Sequence, residues 1–159
     1  MTALAKAREA YFALAMASHL LVLSFFVEQP AYMAAFTSAL SLPVVYTIRS
    51  YSDKEYSFKG KYFVVRRSLW ERIIDWVILT AVALFAGSAF YVSMGYRSVT
   101  WYLAGFASAW VMRRVLFTFL NILDKKGFDV EEPTFMVPVG LVFGIVYAVI
   151  LLPVLAMLA

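Results

Sequence analysis

Long apolar runs alternate with short polar connections along the whole chain. The first run covers residues 10–27 and closes on Glu28-Gln29-Pro30; the second covers 31–48 and the third 73–95. A fourth begins near Thr100, is interrupted by Arg113 and Arg114, and resumes to Leu123. The fifth spans 134–157, with Pro138 and Pro153 towards its ends. The hydrocarbon core of a bilayer is about 30 Å thick, and about 20 apolar residues of helix cross it. Backbone groups inside lipid must be paired within their own segment, which selects helices over open strands. The pattern predicts an all-α polytopic transmembrane bundle of about five spans, forming one membrane domain over residues 1–159.

Composition points the same way. Apolar residues make up 64% of the chain and charged residues 15%, whereas a soluble domain carries about 25% charge. There is no cysteine, which excludes disulfides, thiolate metal sites and cysteine nucleophiles. A single histidine, His19, supplies neither a bis-histidine haem site nor a three-ligand zinc site within one chain. No cofactor is expected. Asparagine and glutamine each occur once, as Asn121 and Gln29. Scarcity of thermolabile residues is a habit of thermophile proteins, although membrane proteins are poor in them in any case.

The placement of Lys and Arg predicts an orientation, because short cytoplasmic loops carry them in excess. Lys6 and Arg8 precede the first run, and the 49–72 loop holds Arg49, Lys54, Lys59, Lys61, Arg66, Arg67 and Arg72. The acidic 124–133 loop still carries Lys125 and Lys126, while the connections on the opposite side hold Glu28 and Arg97. A multi-pass protein of the cell membrane follows, with its N-terminus cytoplasmic and its C-terminus outside. An N-terminal basic residue before an apolar run is also the pattern of a secretory signal. Here, however, the small residues Ala15-Met16-Ala17 fall in the middle of the run. In the basic loop, Lys59, Lys61, Arg66 and Arg67 are interleaved with aromatic residues, a pattern suited to lying on headgroups. Anionic lipid would be their partner; the positive-inside bias already accounts for the charge, and nucleic acid is not expected.

An offset of 70 residues aligns 11–39 with 81–109. Ala13, Leu14, Ser18 and Val22 meet Ala83, Leu84, Ser88 and Val92; the phrase from Tyr32 to Ala39 meets that from Tyr102 to Ala109. This suggests a parallel repeat of a two-helix hairpin, units 8–48 and 73–123, with the fifth helix outside it. Small residues four apart recur at Ala13/Ala17, Ala83/Gly87, Ala35/Ala39, Gly105/Ala109 and Gly140/Gly144, spacings that let membrane helices approach closely.

Polar residues deep in the runs are the candidate functional groups. Ser18, His19, Thr37, Ser38, Ser88 and Ser108 fall near the bilayer midplane when 1.5 Å per residue is counted from each end. They either line a polar pathway or bond back to their own helices. Intramembrane ionisable residues often mark ion pathways, which singles out His19. Asp75, Arg113 and Arg114 form a candidate charge cluster in the inner leaflet, with Asp75 expected to pair with an arginine. No surface cluster of carboxylates, histidines or metal ligands suggests an enzyme. The expected function is a non-catalytic membrane subunit or scaffold, packing as a homo-oligomer or with other membrane subunits. An oligomeric channel or transporter, its polar pathway built around His19 and the serines, is the alternative.

Overall fold

The computed structural model describes residues 3–55 and 68–158, and the side chains of residues 7–46 and 68–157. The chain is all-helical, 88% helix with no strands among the described residues. Its elements are α1 (Ala3–Phe26), α2 (Gln29–Glu55), α3 (Leu69–Ser93), α4 (Val99–Lys125) and α5 (Pro133–Leu158). α1, α3, α4 and α5 are long and apolar enough to cross a membrane. α2 is likewise a full helix, with its side chains described as far as Tyr46.

Helix ends depart from the apolar runs where local chemistry overrides hydropathy. α2 runs on to Glu55 and α3 starts at Leu69, so helix covers residues 49–55 and 69–72 of the expected 49–72 loop. Lys59, Lys61, Arg66 and Arg67 lie outside the described residues. α3 starts at a capping box: Ser68 Oγ accepts from the Glu71 amide, and the Glu71 carboxylate accepts from the Ser68 amide at 2.8 Å. The two side chains satisfy amides that the first turn otherwise leaves unpaired. α4 passes straight through Arg113 and Arg114 as a continuous helix. Just beyond its end, Gly127 adopts φ +85°, the left-handed conformation in which glycine terminates helices without a Cβ clash.

Contacts between side chains fix the relative directions of the helices. Leu14 and Ala15 of α1 meet Gly140 and Gly144 of α5 in the same order, so these two run parallel. Arg8 of α1 bonds Asn121 near the end of α4, whereas Met16 and Leu23 share a cavity with Ala109 and Gly105; α1 and α4 are antiparallel. Tyr91 of α3 reaches Pro30 of α2 while Trp76 packs on Tyr46, so α2 and α3 are antiparallel. The five helices therefore alternate in direction. α2 and α4 form the centre, α3 flanks them on one side and α1 on the other, and α5 packs mainly on α1.

The core is built from large rings and small residues. Tyr11, Tyr91 and Tyr102 are fully buried, with Leu42, Met112, Leu116 and Leu120. Much of the outer surface is apolar: Phe25, Leu69, Trp70, Val77, Phe85 and Ile150 are all well exposed. Soluble monomers rarely expose contiguous apolar surface on this scale, whereas lipid is its natural solvent. Positions matched by the 70-residue offset occupy different surroundings. Phe36 is 37% exposed against 8% for Phe106, and α5 covers α1 but makes no comparable contact with α3.

Candidate functional site

Only some of the deep polar residues meet. Ser18 and His19, adjacent on α1, serve different contacts. Ser18 Oγ donates to the Ala15 carbonyl at 3.1 Å, and both groups sit where a Cβ on Gly144 would collide. On α2, Thr37 donates back to Met33 at 2.8 Å. Ser38 donates to Ala34 at 2.6 Å, with the Tyr102 carbonyl of α4 at 3.3 Å. Gly105 completes that contact, since a Cβ there would lie 3.0 Å from the Ala34 carbonyl oxygen. Ser88 donates to Phe85 on its own helix at 2.9 Å. Hydroxyls that bond back in this way satisfy themselves inside apolar surroundings.

His19 and Ser108 are the pair that the fold brings to one place. Both border a cavity of about 140 Å³ between α1, α2, α4 and α5, otherwise lined by apolar side chains including Leu23, Trp101, Leu151 and Leu155. Tyr147 of α5 stands beside them. Its hydroxyl donates to the Ser108 carbonyl at 2.8 Å and lies 3.2 Å from Ser108 Oγ. The His19 ring meets the Tyr147 ring edge-on at 5.4 Å. His19 is 3% exposed, and its Nδ1 is buried with no hydrogen-bond partner. An unpaired buried donor or acceptor costs about 1–3 kcal/mol. Among the described residues, no group of three or more His, Asp or Glu side chains is placed to hold a metal ion.

The charge cluster differs from the expectation. Arg113 is buried on α4, and the carboxylate it engages is Glu9 of α1, not the expected Asp75. The pair is bidentate, with Nη1 to Oε2 at 3.0 Å and Nη2 to Oε1 at 2.6 Å, a geometry that suits a guanidinium better than a point-charge ammonium. The Tyr46 ring centroid lies 3.8 Å from the guanidinium carbon and that of Phe117 4.2 Å, favourable cation–π distances. Arg113 points towards α1 and α2. Successive residues turn by about 100° around a helix, and Arg114 is exposed, near the Trp110 ring. Asp75 is half-buried on α3, with interactions of its own.

Glu9 escapes the sequence reading, which begins the first span at residue 10. The signal was present: Arg8-Glu9 forms a charged turn just before the apolar run, and the helix continues back through it to Ala3. Tyr147 was also missed, since nothing in α5 distinguishes it from a packing ring until Ser108 is found opposite. Comparison with protein-family models, with curated proteins and with solved structures finds no match for the chain.

Proposed function

We propose that the chain is a non-catalytic, multi-spanning membrane subunit or scaffold, whose helices pack against one another and against further copies or other membrane chains. The observation that carries this reading is where the deep polar groups spend their hydrogen bonds. Ser18, Thr37, Ser38 and Ser88 bond carbonyls of their own helices, Ser108 pairs with Tyr147, and Arg113 pairs with Glu9. A transport route needs such groups turned towards a shared aqueous path, whereas these are already paired, within their own helix or with a neighbouring one.

All five helices cross the membrane in this reading, α2 shielded by α1, α3 and α4. Helix directions support the orientation. Arg8 and Asn121 meet, so the start of α1 and the end of α4, with Lys125 and Lys126, share one end of the bundle. Arg97 lies in the turn at the other end. Placing the basic end in the cytoplasm satisfies the positive-inside rule, and anionic headgroups would add roughly 1 kcal/mol per basic residue near the surface. The test is the mass of the detergent-purified particle, together with solute flux in reconstituted vesicles. A particle larger than one chain without flux is expected. A monomer with no companion chain, or flux above that of empty vesicles, overturns the reading.

A further inference from the structure

We propose that the cavity bordered by His19 binds one small apolar group bearing a hydroxyl, of roughly phenol size, either free or carried on a membrane lipid. The size follows from the volume. The cavity is about 140 Å³, and an apolar protein cavity of about 150 Å³ takes a benzene molecule. The apolar character follows from the lining, where Leu23, Trp101, Leu151 and Leu155 face the space.

The hydroxyl follows from the two polar residues on the wall. The Tyr147 proton is committed to the Ser108 carbonyl at 2.8 Å, so in the 3.2 Å contact between the hydroxyls Ser108 is the donor. The Ser108 proton is then used as well, and its oxygen keeps acceptor capacity. His19 borders the same space, nine-tenths buried, with Nδ1 unpartnered. A neutral imidazole carries one donor and one acceptor nitrogen, and ring orientation decides which of them meets a ligand. A hydroxyl both donates and accepts, so it pairs with either. Nδ1 itself is closed to a water-sized molecule, so the ring meets a ligand through its cavity-facing edge; a single water there would leave most of the apolar volume empty. Val27 and Ala31, where α1 passes into α2, and Leu155 near the end of α5 line the cavity, so a ligand enters from that end of the bundle.

The experiment is a fluorine NMR titration of 4-fluorophenol and fluorobenzene into the purified, delipidated chain, corrected for partition into protein-free micelles. 4-Fluorophenol should bind about tenfold more tightly than fluorobenzene, the scale of one net hydrogen bond. His19→Phe should make the two equal, and Leu151→Trp should weaken both by filling the cavity. Equal affinities in the wild-type chain overturn the proposal even if neither variant folds, as does a phenol preference that survives His19→Phe. Omitting delipidation separates the sources. If bound lipid blocks 4-fluorophenol and native mass spectrometry shows a hydroxyl-bearing lipid leaving, the group is lipid-borne; unblocked binding assigns a free molecule. None of these readings depends on the oligomeric state.

Discussion

Arg113 is held in its plane by the Glu9 carboxylate and on its faces by the rings of Tyr46 and Phe117. Removing one member of a buried ion pair strands the other, at about 3–5 kcal/mol. The Glu9 side chain keeps 36% of its exposure, so water softens the loss, and Glu9→Gln should fall at the low end, about 3 kcal/mol. Replacing both partners with apolar residues of similar size is often neutral. Glu9→Leu with Arg113→Met should therefore recover most of the stability, read by denaturant unfolding in detergent. If the double variant is as unstable as Glu9→Gln, the pair contributes more than mutual neutralisation. Tyr147→Phe removes the bridge to Ser108 and should cost about 1 kcal/mol. Unchanged unfolding in that variant would mean that the bridge contributes nothing.

At the scale of elements, equal spacings have unequal consequences. Gly144 sits where any Cβ would run into the Ala15 carbonyl, and a Cβ on Gly140 would lie 2.9 Å from that of Leu14. The first neighbour is backbone, which yields only if α1 and α5 separate. Overpacking typically costs 1–3 kcal/mol, so Gly144→Ala should destabilise by about 2 kcal/mol and by more than Gly140→Ala. Ala13 and Ala17 share the same four-residue spacing, yet both are exposed. Ala17→Leu should leave melting unchanged within about 0.5 kcal/mol, as surface substitutions usually do. A large loss in Ala17→Leu would place another helix on that face.

For the whole molecule, alternating helix directions leave the turn at Arg97 on the end opposite Lys125 and Lys126. The chain lacks cysteine, so single cysteines report sidedness without background. A cysteine at position 97 should be labelled in intact cells by an impermeant reagent, and one at position 126 should not. The reverse pattern would invert the orientation, and labelling at both positions would break the alternation. α3 is the outlying element. Tyr91 is its one buried residue, held through its hydroxyl to the Pro30 carbonyl at 2.8 Å. Local opening starts where few contacts are buried, so hydrogen exchange in the first half of α3 should outpace that in α4.

The sequence by itself determined the solvent and the element type. Long apolar runs require helices, because lipid offers the backbone no other partner, and all five helices follow from them. It also marked which residues are costly at depth, Arg113 and His19 among them. Charge spacing could not choose the partner of Arg113. That choice depends on which neighbour faces its side of α4, and packing placed Glu9 there. The small-residue spacings were equally silent about which pairs touch. Gly140 and Gly144 meet α1 while Ala13 and Ala17 face outward, because a four-residue spacing identifies a face and the assembled bundle decides what covers it. The cavity beside His19 is tertiary altogether. Its walls come from four helices, and only their arrangement sets a buried imidazole beside Ser108 and Tyr147, which pair with each other and leave its Nδ1 without a partner.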